Sequence, residues 1–130
     1  MQPVTGIHDL AIWYPEQEAD NIQPYPPAIQ MGDPSVWGND YVTVDNIEFV
    51  NAYLGYKNNP NMGGCPIVRN IYGTPLKSGI RIDSLADVGR IENCDFSPLY
   101  WENSGLPGAP SDKDSHRSYI YENGIAYEMS

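Results

Sequence analysis

Residues 68–73 read VRNIYG, and residues 44–49 read VDNIEF. Laid over each other they spell one phrase: apolar, any residue, Asn, apolar, any residue, then a small or apolar residue. Residues 7–12 (IHDLAI) and 91–96 (IENCDF) repeat it, with Asp9 in place of the first Asn. The Asn or Asp of the phrase stands at positions 9, 46, 70 and 93, so that successive spacings are 37, 24 and 23. A second marker keeps step, since Gly55 and Gly79 each follow their Asn by nine positions. Repeats at a fixed period are read before any other architecture, and a period near 23 is about one turn of a three-sided parallel β-helix.

Outside these segments period-two alternation recurs, as in Val42-Thr43-Val44 and Ile80-Arg81-Ile82. The 12 Pro and 12 Gly leave no window of fifteen residues with an unbroken helical apolar pattern. The expected class is therefore all-β, a right-handed parallel β-helix of about four to five turns. Asn suits the corner between two strands because it tolerates left-handed backbone angles better than most residues. Stacked amides at Asn46, Asn70 and Asn93, with Asp9 as an imperfect first rung, predict an internal hydrogen-bonded ladder. Alternation turns Ile7, Val44, Val68 and Ile91 inward as one stack and Leu10, Ile47, Ile71 and Cys94 as another. It turns His8, Asp45, Arg69 and Glu92 outward in one row, and Ala11, Glu48, Tyr72 and Asp95 in a second. The competing architecture is an antiparallel sandwich with chance Asn turns, which leaves the two markers in register unexplained.

The 130 residues suffice for one structural unit, read as a single β-helix segment over residues 1–130, with an inserted loop at about 17–38 and a Pro/Gly-rich loop at about 103–116. Lys and Arg number 7 against 17 Asp and Glu, giving a formal charge of −10. That field repels nucleic acid and anionic membranes, so neither is an expected partner, and it favours neutral over polyanionic ligands. The apolar runs are too short to span a bilayer. Cys65 and Cys94 are read as small buried thiols more readily than as a disulfide.

LAIWYPEQ (10–17), PYP (24–26), VRNIYGTPLKSG (68–79), DVGRIEN (87–93), FSP (96–98), YW (100–101) and SGLPGAP (104–110) follow one another in an order that resembles the pectate-lyase-like superfamily. The chain is most similar to glycoside-hydrolase-28-related or family-55-like bacterial proteins of that superfamily, over about residues 6 to 128. The resemblance implies the parallel β-helix, a secreted or cell-surface location, a polysaccharide or oligosaccharide ligand, and a longer parent helix whose open ends need caps or a neighbouring chain. It carries activity less directly, because the superfamily holds hydrolases, lyases, epimerases and spike proteins, and no catalytic motif of it is matched here.

The expected function is that of a glycoside hydrolase acting on an extracellular polysaccharide, and glycosidases need two carboxylates at a set separation. Asp83, placed outside beside Arg81 at the end of the strand that begins at Gly79, is the first candidate. Asp87 in the following turn is its partner, and Glu102 on the next repeat is the third. Turn chemistry is the competing explanation for the two Asp. Arg81, Tyr100, Trp101 and Trp13 are the expected substrate-binding residues, the rings offering flat faces to sugars, although packing on the repeat beneath suits them equally. A lyase acting on an acidic glycan would use Arg81 or Lys77 as base, and a non-catalytic glycan-binding or spike-like segment is the third alternative. No ligand spacing around His8 or His116, no phosphate loop and no serine triad appear, so neither a metal nor a cofactor is expected.

Overall fold

The computed structural model describes residues 5–32, 35, 41–60, 64–85 and 89–129. Among these the chain runs β1 (Thr5–Ile12), β2 (Ile29–Met31), β3 (Val42–Phe49), β4 (Leu54–Asn58), β5 (Ile67–Gly73), β6 (Ser78–Ile82), β7 (Arg90–Glu92), β8 (Asp95–Phe96), α1 (Leu99–Glu102), α2 (Lys113–Asn123) and β9 (Ile125–Met129). The protein is mostly sheet, and its named strands pair in parallel. One sheet has the order β1-β3-β5-β7, with β8 also on β5, and the other has the order β2-β4-β6-β9. Parallel pairing excludes the antiparallel sandwich.

Register follows the repeated phrase. Ile7 lies on Val44, Val44 on Val68 and Val68 on Ile91, while Leu10 lies on Ile47 and Ile47 on Ile71. Val44, Val68, Ile47 and Ile71 are fully buried in the main core, and burial of each such side chain is worth about 1.5–3 kcal/mol. Leu10 at the sheet edge is instead 47 % exposed.

Asp9, Asn46, Asn70 and Asn93 have φ of 59°, 55°, 53° and 49°. All four are left-handed, as the corner reading requires, and β1, β3 and β5 bend at them without losing sheet pairing on either side. The ladder, however, is external. Asn46 Nδ2 donates to Asp9 Oδ1 and Asn93 Nδ2 to Asn70 Oδ1, each at 2.7 Å, but Asn70 Nδ2 turns to Asp45 Oδ1 at 2.7 Å. With the apolar residues on both sides turned inward, the corner side chain is left on the outer surface. The buried amides are others. Asn51 holds the Tyr14 backbone through both its amide atoms, at 2.8 and 2.9 Å, and Asn58 holds Asp83 in the same way, at 2.7 and 3.3 Å.

The glycine marker has a steric cause. A Cβ on Gly55 would stand 2.4 Å from the Gly79 carbonyl oxygen and 2.8 Å from the Phe49 ring, and one on Gly79 would stand 2.5 Å from the Phe96 ring. One sheet thus lays a phenyl ring on a glycine of the other at two places, the glycines one repeat apart and the rings two.

Two departures from the sequence reading concern loops. β2 lies within the insert expected as a loop at 17–38 and pairs with β4, while the insert's start is pinned by buried Gln17, whose side chain bonds the Gln23 backbone at 2.7 and 3.0 Å. Residues 113–123, partly inside the expected Pro/Gly-rich loop, form a helix with no forerunner in the sequence pattern. Its eleven residues are shorter than the window needed to show a period, and only His116 among them is buried. Its start signal is local: Asp112 accepts from the backbone N–H of Asp114 and Ser115, both at 3.1 Å. No disulfide joins Cys65 to Cys94. No helix is long and apolar enough to cross a membrane among the described residues.

Candidate functional site

The outer face of the larger sheet carries the two rows read from alternation. His8, Asp45, Arg69 and Glu92 are consecutive partners, as are Ala11, Glu48, Tyr72 and Asp95. In the first row Arg69 closes on Asp45 through Nε and Nη2 at 2.9 and 2.8 Å, which holds the Asp45 carboxyl below its ordinary pKa. This is a surface ion pair and little more.

The second row becomes a groove because α1 is bolted beside it. Thr74, just past β5, donates its hydroxyl to the Ser97 carbonyl at 2.6 Å and accepts from the Trp101 N–H at 3.0 Å. Trp101 is thereby driven fully into a second core, with Val50 and Leu76. The preceding residue, Tyr100, is left outside, where its hydroxyl donates to Asp95 Oδ2 at 2.9 Å and its ring lies tilted against Tyr72 with centroids 6.5 Å apart. The hydrogen bond to Asp95, then burial and the nearby carboxylate charges, raise the Tyr100 pKa, so the phenol keeps its proton. Glu48, Asp95, Ser97, Leu99, Tyr100, Asn103 and Ser104 line an open groove of about 460 Å³. Glu48 and Asp95 are the two register partners of Tyr72, one on each neighbouring strand. Two strand spacings therefore separate their backbones, about 10 Å.

The other expected site residues lie elsewhere. Asp83, expected outside, is 8 % exposed, with its carboxylate 2.9 Å from Arg81 Nε and 3.4 Å from Lys57 Nζ. It is drawn in because Lys57 and Arg81 are register partners and Asn58 fixes its backbone. Arg81 also meets Glu128 at 3.4 Å. Asp87 lies outside the described residues. Glu102 has no exposed side-chain surface: Arg117 grips both its oxygens, at 3.0 and 2.6 Å, and His116 Nδ1 stands 3.2 Å away. Burial alone would raise the Glu102 pKa, but the bonds and charges of Arg117 and His116 outweigh it and hold the group ionised.

Trp101 is core and cannot stack on a sugar, contrary to expectation, because the Thr74 clamp turns it inward. Trp13 is half-buried against the same second core. Asp83 and Glu102 are not brought together, since Asp83 follows β6 whereas α1 is anchored at Thr74, before β6 begins. Strand β6, Ser78–Ile82, lies between them. A strand of that length spans about 16 Å. Tyr100 accordingly lies beside Glu48 and Asp95 rather than beside Arg81 and Asp83. Alternation places Glu48 and Asp95 as outward neighbours without assigning them a role. The signal for one is their place in the same row as Tyr72, with Tyr100 following within a few residues.

Among the described residues no group of three or more His, Cys, Asp or Glu side chains is arranged to hold a metal ion. No family model, no curated protein and no solved structure matches the chain.

Proposed function

We propose that the chain is a segment of a right-handed parallel β-helix that binds a neutral polysaccharide, outside the cell, along the groove between Glu48, Tyr72, Asp95 and Tyr100. The β-helix reading is supported by the strand register that returns with each repeat, the left-handed residue at each corner and the phenyl-on-glycine contacts between sheets. Residues 1–130 then form one unit, with the insert and α2 as decorations on it.

The observation that carries glycan binding is the groove itself. The Tyr100 ring, packed against Tyr72, offers a flat apolar face, and Glu48, Asp95, Ser97, Asn103 and Ser104 surround it with acceptors and donors for sugar hydroxyls. The charge of −10 and the two groove carboxylates favour a neutral chain over an acidic one. Affinity electrophoresis in gels cast with neutral or acidic polysaccharides tests this. Retardation by a neutral polysaccharide, lost in Tyr100→Ala with unfolding behaviour unchanged, is expected; equal retardation of wild type and variant would sink the reading.

Glycoside hydrolysis is the second reading: Glu48 and Asp95 line one groove from backbones about 10 Å apart, and inverting enzymes need roughly 6.5–9.5 Å between carboxyl groups. Asp83 and Glu102 suit it less, because each is held by cations as a fixed anion. New reducing ends that vanish in Glu48→Gln would establish hydrolysis at the groove. Elimination has less support, since Arg81 is engaged by Asp83 and Glu128, and Lys77 Nζ lies 3.4 Å from the Asn123 carbonyl.

A further inference from the structure

One buried knot of side chains ties α2 to α1. Glu102 has no exposed side-chain surface, Arg117 grips both its oxygens, and His116 Nδ1 stands 3.2 Å from Oε1. His116 is the buried member of α2, while Tyr119 and Ile120 are only partly buried against the second core. We propose that this knot is a proton-operated latch: α2 stays docked only while the His116 ring is neutral, and it lifts from the second core when the medium turns mildly acidic.

The geometry leaves a second ring proton without a place. Nδ1 faces Glu102, an ionised carboxylate that can only accept, so Nδ1 bears the proton of the neutral ring. A second proton must enter at Nε2, which has essentially no accessible surface and no hydrogen-bond partner among the described residues. The charged ring would then hold a buried, unpaired N–H, which is costly. Turning the ring out to water supplies an acceptor, but it withdraws His116 from Glu102 and from the edge-on contact with Trp101, at a centroid distance of 5.4 Å. Arg117, the next residue of the same helix, moves with it.

Two charges act on the ring: Glu102 of α1 favours the imidazolium, and Arg117 of α2 opposes it. Burial outweighs the pull of Glu102 and holds the docked imidazole below its ordinary 6.5. Glu18 and Asp20 of the insert and Asp112 at the helix start line the cavity beside His116, but all three carboxylates are exposed, and Asp112 is committed to the Ser115 hydroxyl and the backbone N–H groups of Asp114 and Ser115. Asp114 is exposed on the same turn, and Lys77 meets only the far end of the helix, 3.4 Å from the Asn123 carbonyl. Val50, Leu76, Leu106 and Ala109, the other neighbours in the second core, carry no charge.

The undocked helix takes up this proton at the ordinary 6.5, the docked helix only at lower pH. The contribution of His116 to docking is therefore complete above pH 6.5 and is lost as pH falls below it towards the docked value. The Glu102 carboxyl titrates below 4.5, outside this window. The helix yields before the sheets because it has a single buried residue, whereas β3 and β5 carry the fully buried Val44, Ile47, Val68 and Ile71.

Amide hydrogen exchange at about pH 7.5 and about pH 5.5, corrected for the intrinsic change in exchange rate, tests the latch. Protection of residues 117–123 should fall several-fold, with about tenfold as the ceiling for one proton taken up one pH unit below its ordinary pKa, while β3 and β5 keep theirs. His116→Gln, which retains an N–H donor and has no proton to gain in this range, should show the same α2 protection at both pH values. Imidazole ¹⁵N shifts of the wild type give a reading independent of any variant, and His116 should titrate below 6.5. Unchanged α2 protection, an equal loss in β3 and β5, the same loss in His116→Gln, or a His116 titration at or above 6.5 would each overturn the proposal.

Discussion

In the strands, like lies on like: Val44 on Val68, Ile47 on Ile71, Gly55 beside Gly79, each contact a copy of the one before it. In residues 97–123 nothing is copied. One Trp101, one Thr74 clamp and one Glu102–Arg117 pair do the fastening, and each occurs once. A repeated contact shares its energy among many residues and tolerates a weak member at an edge, as exposed Leu10 illustrates. A single-copy contact concentrates its energy in one side chain, so the two regions should respond differently to mutation.

The sharpest break comes at the unique ring. Trp101→Ala should destabilise the protein by about 3–5 kcal/mol in denaturant unfolding, since the void opens in the second core against Val50 and Leu76 with no neighbour of the same kind to fill it. A loss under about 1 kcal/mol, well below that range, would mean the helical segment is not fastened through this residue.

Next in size is Gly55→Ala, where the added Cβ meets a carbonyl oxygen at 2.4 Å. Overpacking of this sort costs about 1–3 kcal/mol, and unchanged stability would remove the steric meaning of the glycine marker. Asn70→Ala tests the corner, because it puts alanine at a left-handed φ of 53°. A left-handed alanine costs about 1–2 kcal/mol. Asn70→Gly also loses the bond to Asp45 but keeps the backbone freedom, and it should cost less. If the two cost the same in denaturant unfolding, the amide bond rather than the backbone angle governs the position.

The smallest effect is read from pH. Glu102 has its folded pKa below the ordinary 4.5. Its contribution is therefore fully present above about pH 4.5 and is lost as pH falls through the lower folded value. Asp9, Asp45 and Asp112, also lowered from 3.8, add losses of the same sign at still lower pH. Unfolding of Glu102→Gln measured from pH 7 to pH 3 should show a shallower decline than wild type, and identical slopes would exclude Glu102 as a contributor.

Much of the strand region is legible in the sequence because its physics is periodic. The corner residues, the inward stacks and both outward rows follow from counting, since alternation fixes the face of every residue once a corner is set. The ladder is outside rather than inside because the sequence marks a left-handed corner without telling which way its side chain leaves it. Asn51 and Asn58, the buried amides, belong to no repeated phrase and give no signal. The groove is half legible: Tyr100 stands out as an aromatic after a strand, while Trp101 next to it looks the same, and only the Thr74 hydroxyl separates one as surface from the other as core. Helix α2 stays hidden because eleven residues with a single buried member carry almost no period.

By itself, then, the sequence determined the parallel register, because a phrase repeated at a near-constant spacing can bury its apolar positions only by lying on its own copies. The tertiary structure alone decided which carboxylates remain open. Asp83 and Glu102 are closed by Lys57, Arg81, Arg117 and His116, while Glu48 and Asp95 face the groove. Whether a charge is neutralised depends on which cation lies within about 4 Å. For Glu102 that distance is set by how residues fourteen and fifteen places along the chain pack against it.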